Sequence, residues 1–234
     1  MFGTMSIGAL KRAVGILVDV CDGKEAKVVA DDSGLVMQNK YPLSTMADIK
    51  LDLDNFSIGK EKHKFEIELR YLLGVLKSGH VGDTIAIEHE RNVLWCAIHD
   101  TMFSIPVQIV DNVKWTKMNL LHNARICMNG RDFKIFVKAA FEAKPSHIVV
   151  SAENGMFKMF TKYGGYSVSI ERKLHYDGDA RSLFSIDYLY DFSKYIRNDD
   201  NITLEFGQDE PMRIAFNYPY CDVSYWISPR VESD

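Results

Sequence analysis

The sequence lacks the cysteine and histidine spacings that hold metal ions or build disulfide frameworks. Its four cysteines, Cys21, Cys96, Cys127 and Cys221, lie far apart and form no CxxC pair. This spacing favours four reduced thiols in an intracellular protein and argues against a zinc site. No apolar run approaches the roughly 20 residues that cross a bilayer, and no basic segment with an apolar run behind it opens the chain. We therefore expect a soluble protein that is not exported and holds no metal.

The short motifs of common enzyme sites are absent as well. The sequence contains no GxxxxGK[ST], GxGxxG, HExxH or GxSxG, so phosphate-cradling loops, zincin chemistry and the hydrolase elbow have no support. His99 with Asp100 is a conceivable base and orienting acid, but His89 and His99 fall where surface or edge placement on a strand is routine. The pairs Asp31–Asp32 and Asp199–Asp200 precede turns, where Asp caps backbone amides. We expect no catalytic residue and no cofactor, and the alternative is an enzyme that uses the His99 region.

What the chain does contain is many short segments in which apolar and polar residues alternate. Examples are DIKLDLD at 48–54, YSVSI at 166–170 and PMRIAF at 211–216, which are typical of antiparallel strands. Only four segments have helical periodicity. They are IGALKRAVGILVDV, expected to end near Gly23, RYLLGVLK, RDFKIFVKAAFEA and DYLYDFSKYIRN.

The order of these segments repeats, with a helix, a hairpin, more strands, a second helix and further strands in each half. Leu10-Lys11 matches Phe133-Lys134, and LKSGHVGDTIAIE matches SKYIRNDDNITLE, which aligns Lys77 with Lys194. The pattern predicts an α+β fold made of two duplicated domains. We expect the domains at 1–110 and 123–234, with a connecting segment at 111–122.

Opposite its apolar stripe, each predicted helix has basic residues. The net charge of -4 argues against a surface that is basic all over, but a local basic face is compatible with it. These residues are either ordinary solvated faces or one shared surface for sequence-independent contact with phosphates. Gly8 and Gly74 lie on these faces, although glycine is unfavourable inside a helix. Either a neighbouring group approaches the backbone closely at these positions, or the helix simply tolerates the cost. The bases are Lys11, Arg12, Arg70, Lys77, Arg131, Lys134, Lys138, Lys194 and Arg197.

Three segments near the carboxyl end resemble the signature of sliding clamps of the proliferating cell nuclear antigen (PCNA) type, closest to archaeal forms. They are SLFSIDYL at 182–189, TLEFGQDEPMRIAF at 203–216 and YWISPRV at 225–231. LKRAV, ADDSGLVMQ and MFSIPVQIVD extend the resemblance to the first half. It implies two clamp domains, each with an outer antiparallel sheet layer and two inner helices, in a pseudo-sixfold trimeric ring around double-stranded DNA. Met102 to Val110 of one subunit would meet Tyr166 to Arg172 of the next.

By the same resemblance, the protein would be a DNA polymerase processivity factor and not an enzyme. The ring, placed on DNA by a separate ATP-driven clamp loader, would tether polymerase and repair enzymes that carry a PCNA-interacting motif. The alternative is a specialised paralogue that forms a hetero-ring or regulates another clamp. The implied location is intracellular, in the cytoplasm or nucleoid if the protein is archaeal and in the nucleus if it is eukaryotic.

The resemblance also implies a client-peptide pocket between the connecting segment and the carboxyl-terminal segment. A simpler reading is that Trp115 and Val231 only cover the seam between domains. The loop KYPLSTMADI departs from the family pattern, which leaves client preference open. The implied pocket residues are Lys40, Ser44, Thr45, Ala47, Val113, Trp115, Met118, Pro211, Tyr225, Trp226, Ile227, Ser228, Pro229 and Val231.

Overall fold

The computed structural model describes residues 2–21, 24–31, 34–41, 44–52, 54–57, 62–111, 118, 120, 122–173 and 179–230. The chain forms two compact units. The first comprises Met1–Tyr41, Met46–Thr116 and Tyr218–Val223, and the second comprises Pro42–Thr45, Lys117–Asn217 and Ser224–Asp234. Most of the predicted connecting segment, 111–122, lies outside the described residues, so the predicted domain boundaries stay a prediction.

The first unit is an antiparallel β-structure with two helices. With the strands numbered along the chain as given in the next sentence, their order in the sheet is β4-β3-β2-β6-β9-β8-β7-β1-β5. The elements are β1 (Phe2–Ser6), α1 (Ile7–Gly15) with a π-helical continuation (Ile16–Val20), β2 (Glu25–Asp31), β3 (Gly34–Tyr41), β4 (Thr45–Leu51), β5 (Asp54–Ser57), β6 (His63–Glu68), α2 (Leu69–Lys77), β7 (Thr84–Glu90), β8 (Val93–Ile98) and β9 (Thr101–Ile109).

The second unit is likewise built of antiparallel strands and two helices. Its strands form the runs β10-β15-β16-β17 and β13-β12-β11-β14. The elements are β10 (Ala124–Asn129), α3 (Gly130–Glu142), β11 (His147–Glu153), β12 (Met156–Tyr163), β13 (Tyr166–Lys173), β14 (Ala180–Ser185), α4 (Ile186–Ser193), β15 (Asn201–Phe206), β16 (Met212–Tyr218) and β17 (Cys221–Ile227).

The two lists of elements match, except that β5 has no counterpart among the described strands of the second unit. The predicted α+β duplication is therefore confirmed, with one addition. Each unit begins with a strand, β1 or β10, before its first helix. The sequence contains a signal for β10, because the apolar residues Ala124, Ile126 and Met128 stand at every second position. In the structure these three side chains are buried and their neighbours are exposed.

The helices bury the apolar faces that their periodicity predicts. Ile7, Leu10, Val14 and Leu17 are all fully buried, and α1 begins where the Ser6 hydroxyl accepts a hydrogen bond from the Ala9 amide. Its α-helical part ends at Gly15, however, and a π-helical turn continues to Val20.

The fourth helix is shorter than predicted. It ends at Ser193 rather than near Asn198, because the Tyr195 and Ile196 amides donate to carbonyls three residues back and tighten the chain into turns. Ile196, at the helical spacing, is still buried, so the apolar period predicted burial correctly and helix length incorrectly.

The four cysteines are free thiols in different environments. Cys21, Cys96 and Cys221 are buried and Cys127 is exposed on β10. Burial raises the pKa of Cys96 and of Cys221 to about 12, so neither forms a thiolate near neutral pH. Among the described residues, no helix has the length and apolar character needed to span a bilayer.

Candidate nucleic-acid interface and peptide pocket

The predicted basic residues of the helices fall into three environments. Most are exposed, Lys11 and Lys134 are half-buried, and Arg12 is buried. The exposed ones are Arg70, Lys77, Arg131, Lys138, Lys194 and Arg197.

Arg12 does not lie on an exposed basic face, contrary to expectation. Only 9% of the residue is exposed, and its guanidinium carbon lies 4.1 Å from the centre of the Tyr218 ring. The Tyr218 hydroxyl in turn donates to the Ala9 carbonyl at 3.0 Å. Arg12 therefore packs as a cation over an aromatic face and anchors a distant segment of the first unit on α1. Helical periodicity does not reveal a partner so far away in the sequence.

Lys11 is committed to a contact within its own unit. Its Nζ donates to the Gly79 carbonyl at 2.7 Å, just beyond the Ser78 cap of α2. A cation at this position satisfies a carbonyl at the end of the helix and complements the negative end of the helix dipole.

The exposed face of α2 combines two bases with a glycine. Lys77 has no ion-pair partner in the described part of the chain. Arg70 forms an ion pair with Glu68, and its Nη2 lies 3.2 Å from the Tyr71 hydroxyl. A Cβ on Gly74 would meet no atom within 4 Å, whereas a Cβ on Gly8 would lie 2.8 Å from the Val81 side chain. Close approach thus explains Gly8 and does not explain Gly74.

The exposed face of α4 differs from that of α2. Lys194, the counterpart of Lys77, forms an ion pair with Asp191 at 2.6 Å, and its Nζ lies 4.8 Å from the centre of the Tyr190 ring. A second acid, Asp187, occupies the first turn of α4. The basic character predicted for this helix is therefore locally neutralised.

Three bases follow one another along α3. Arg131 and Lys138 are exposed and Lys134 is half-buried, and none of the three has an ion-pair partner among residues whose placement is described. The acid in the first turn, Asp132, is instead bound to Arg172 of β13 at 2.7 Å.

Among the described strands, β13 and part of β9 lack a second neighbour where the predicted subunit contact requires a free edge. Among the described strands, β13 pairs only with β12. Along Thr101–Pro106, β9 pairs with β8, and it pairs with β6 only through Val107–Ile109. Apolar side chains on these edges are exposed, including Met102 at 69% and Tyr166 at 52%. Unpaired backbone beside exposed apolar side chains is typical of strands that pair with another chain.

The predicted peptide-pocket residues do not all reach the surface. Tyr225 and Ile227 are fully buried, and the Tyr225 ring stacks on Phe192 at 4.3 Å, so both are core residues and cannot touch a peptide. Thr45 and Ala47 are buried too. Strand alternation is the reason, because neighbouring residues of β17 point to opposite faces. Pocket residues that keep some exposure are Ser44, Met118, Pro211, Ser228 and Pro229, with Trp226 at 8%.

The segment after β17 is held by hydrogen bonds to the second unit. The Ser228 amide donates to the Ser44 carbonyl at 2.8 Å, and the Arg230 amide donates to the Leu183 carbonyl at 2.8 Å. The Arg230 side chain also donates to the Ser146 carbonyl at 2.5 Å. Val113, Trp115 and Val231 lie outside the described residues, as does the side chain of Lys40.

A polar network beside Trp226 was missed by the sequence reasoning. Arg213 donates to Glu205 at 2.7 Å and to the Ser224 hydroxyl at 2.8 Å, and its guanidinium carbon lies 5.8 Å from the centre of the Trp226 ring. Its residues occupy three neighbouring strands, β15, β16 and β17. The polar positions of alternating strands signal an outward face, but they do not reveal which of them meet.

The histidines considered for catalysis have structural contacts. His99 Nε2 lies 3.2 Å from Asp83, and the His80 amide, which donates to Asp83 at 2.7 Å, is the main cause that lowers the pKa of Asp83. Asp83, and not Asp100, is thus the acid beside His99. Among the described residues, no cluster of three or more His, Cys, Asp or Glu could hold a metal ion.

His89 is not at the surface, contrary to expectation. It is 7% exposed, stacks on Phe65 at 4.5 Å, and its Nδ1 lies 2.8 Å from Nδ1 of His63. Burial, with the neighbouring His63 as the next cause, lowers the pKa of His89 to about 4. It is therefore a neutral core residue near neutral pH.

Known proteins resemble this chain over almost its whole length. No model of a protein family matches it. The DNA polymerase sliding clamp of Methanosarcina acetivorans is 36% identical, and the match covers 96% of each chain. The solved A. fulgidus PCNA bound to the C-terminal region of FEN-1 is 21% identical, has a TM-score of 0.89, and the match covers 100% of this chain and 99% of that one. A chain of the PCNA2-PCNA3 complex of Sulfolobus tokodaii is 19% identical, with a TM-score of 0.83 and coverage of 99% and 100%. The level of identity to the Methanosarcina clamp, sustained over both chains, shows that this protein belongs to the DNA polymerase sliding clamp family.

Proposed function

We propose that this protein acts as a ring-shaped sliding clamp, a processivity factor that encircles duplex DNA and tethers enzymes to it. The observation that carries the proposal is the 36% identity to a DNA polymerase sliding clamp over 96% of each chain. Sliding clamps are not enzymes, so the proposed mechanism is topological: a closed ring stays on circular DNA because the duplex has no end to slip through. We infer an intracellular, DNA-associated location, in the nucleoid if the source is archaeal and in the nucleus if it is eukaryotic.

Ring closure would use the open edges of β9 and β13. A head-to-tail contact between unlike edges closes a ring when the rotation between subunits allows it, and closure leaves neither edge unpaired. Exposed Met102 and Tyr166 would then be covered by the neighbouring subunit. We propose that the ring is a trimer, as the resemblance to PCNA-type clamps implies. The hetero-ring alternative gains support from the solved PCNA2-PCNA3 complex, in which two different PCNA chains associate.

The plasmid-linearisation assay tests encirclement directly. The protein is loaded on nicked circular DNA with a clamp loader and ATP, and the plasmid is then cut once. A ring held only by topology should leave the cut ends, whereas it should remain on the uncut circle. Retention on the linear form would contradict the proposed mechanism. Failure of the chain to load alone, with loading restored by related clamp subunits, would identify the hetero-ring.

We further propose that clients bind beside Trp226 through a short apolar peptide. The A. fulgidus PCNA was solved with a C-terminal region of FEN-1 bound. A peptide of that kind would contact Ser228, Pro229 and the 8% of Trp226 that is exposed here. Replacing Trp226 with Ala should weaken binding of a synthetic PCNA-interacting peptide by tenfold or more, as expected for a central aromatic residue. Tyr163→Ala, at an exposed tyrosine of β12, is the matched control and should bind normally. Equal binding by both variants would place the pocket elsewhere.

A further inference from the structure

The duplication allows the DNA-facing helices to be compared position by position. Lys77 of α2 matches Lys194 of α4, and Lys134 of α3 matches Lys11 of α1. If all four helices contacted DNA in the same way, the matched lysines would have similar surroundings. They do not, and in each pair one lysine is engaged by the protein itself.

In the first pair, the charge near the lysine changes sign. From Glu68 to Lys77 the chain has two bases and one acid, whereas the matching stretch from Ser185 to Lys194 has one base and two acids. Asp191 binds Lys194 at 2.6 Å, while Lys77 has no such partner in the described part of the chain. Gly74, which matches Asp191, leaves the surface between Arg70 and Lys77 open, because a Cβ at this position would have no atom within 4 Å.

In the second pair, one lysine is used inside the protein. Lys11 donates to the Gly79 carbonyl at 2.7 Å, and its neighbour Arg12 is buried against Tyr218. Lys134 instead lies between Arg131 and Lys138 on α3, and these three bases have no ion-pair partner within the described ranges. The acid of the first turn, Asp132, is bound to Arg172.

We propose that duplex DNA is contacted through α2 of the first unit and α3 of the second, and that α1 and α4 make no phosphate contact. This inference rests on the proposed clamp function. It narrows the predicted basic surface to Lys77, Arg131, Lys134 and Lys138, which have no ion-pair partner among the described residues, whereas Arg70 is paired with Glu68. The ligand is the phosphate backbone of any duplex, because lysine and arginine on a helix face, without base-reading amides, attract phosphates irrespective of sequence. In each subunit, α2 and α3 would therefore attract the phosphates through their basic residues. The other two helices, α1 and α4, would make no phosphate contact and would not resist sliding.

The test compares lysine-to-glutamine variants within each matched pair. Binding of a short fluorescein-labelled duplex of mixed sequence is titrated at several NaCl concentrations, and sedimentation confirms that each variant assembles like the parent. Lys77→Gln and Lys134→Gln should each reduce the steepness of log K against log salt by about 0.9 for every phosphate that is no longer neutralised, which is roughly fivefold in affinity near physiological salt. Lys194→Gln and Lys11→Gln should leave the slope unchanged.

Two outcomes would overturn the inference. One is an equal loss of affinity for Lys194→Gln and Lys77→Gln, and the other is a slope that none of the variants changes. Lys11→Gln has a second readout, since removal of its bond to Gly79 should lower the melting temperature while leaving the slope unchanged. Release from a linearised plasmid does not depend on these lysines, so failure of this inference and failure of the clamp function are distinguishable.

Discussion

Replacing Gly74 tests whether a glycine at this position of α2 is needed for folding or for the approach of a ligand. The glycine lies inside a nine-residue helix, between Arg70 and Lys77, and is exposed. A Cβ at this position would meet nothing within 4 Å. Replacement by alanine therefore adds no clash and removes the entropic cost of glycine in a helix. The free energy of unfolding should rise by about 0.8–1 kcal/mol.

The expected gain is measurable by calorimetry and by urea unfolding. For a chain of this size, 1 kcal/mol corresponds to a rise of roughly 2–4 °C in melting temperature. The m-value should not change, because the substitution alters neither the native packing nor the surface exposed on unfolding. If Gly74 is retained so that a phosphate can approach the helix, the same variant should bind duplex DNA more weakly although it is more stable.

Gly130 is the matched control, since it begins α3 with no space around it. A Cβ there would overlap the Arg197 carbonyl oxygen and press on Ile196, so Gly130→Ala should lower the free energy of unfolding by about 1–3 kcal/mol. The reasoning is refuted if Gly74→Ala lowers the melting temperature, or if both variants shift it in the same direction.

Three further predictions concern Arg12, His89 and Met102. Arg12→Ala should lower the free energy of unfolding by about 1–3 kcal/mol by removing the packing on Tyr218, with an unchanged salt dependence of DNA binding; a changed slope with normal stability would contradict its burial. The pKa of His89 is lowered to about 4 in the folded chain and is about 6.5 in the unfolded chain. As the pH falls from about 6.5 towards 4, the unfolded chain therefore takes up the proton and the folded chain does not, and the free energy of unfolding should fall by up to about 3 kcal/mol. Urea titrations over this range should show a shallower fall for His89→Phe, and identical pH profiles would refute the assignment. Met102→Glu, at an exposed edge position, should leave the stability of the chain within about 0.5 kcal/mol but weaken subunit association roughly tenfold in sedimentation; normal assembly would place the contact elsewhere.

Local patterns predicted the fold well because they depend on neighbours in the sequence. The period of α1 placed Ile7, Leu10, Val14 and Leu17 in the core, and all four are fully buried. The alternation in PMRIAF likewise indicated the inward face of β16, where Met212, Ile214 and Phe216 are buried. These outcomes follow from the geometry of one helix or one strand.

The side-chain environment of the site was harder to predict because it depends on distant partners. Arg12 has the helical position of a solvated base, but the ring over which it packs belongs to Tyr218. Lys194 matches Lys77 in the duplication, yet Lys194 is paired with Asp191, whereas the matching position beside Lys77 is Gly74. Tyr225 and Ile227 were assigned to the pocket with their whole segment, although alternation along β17 turns both inward.

The unequal exposure of the four cysteines makes the protein convenient for labelling. Cys127 is the exposed thiol, near Thr203 on β15. Cys21, Cys96 and Cys221 are buried, and burial raises the pKa of the last two to about 12. A maleimide dye at neutral pH should therefore attach at one defined place per subunit without any engineered mutation. Counting the bleaching steps of single labelled particles would then give the number of copies of this chain in each assembly.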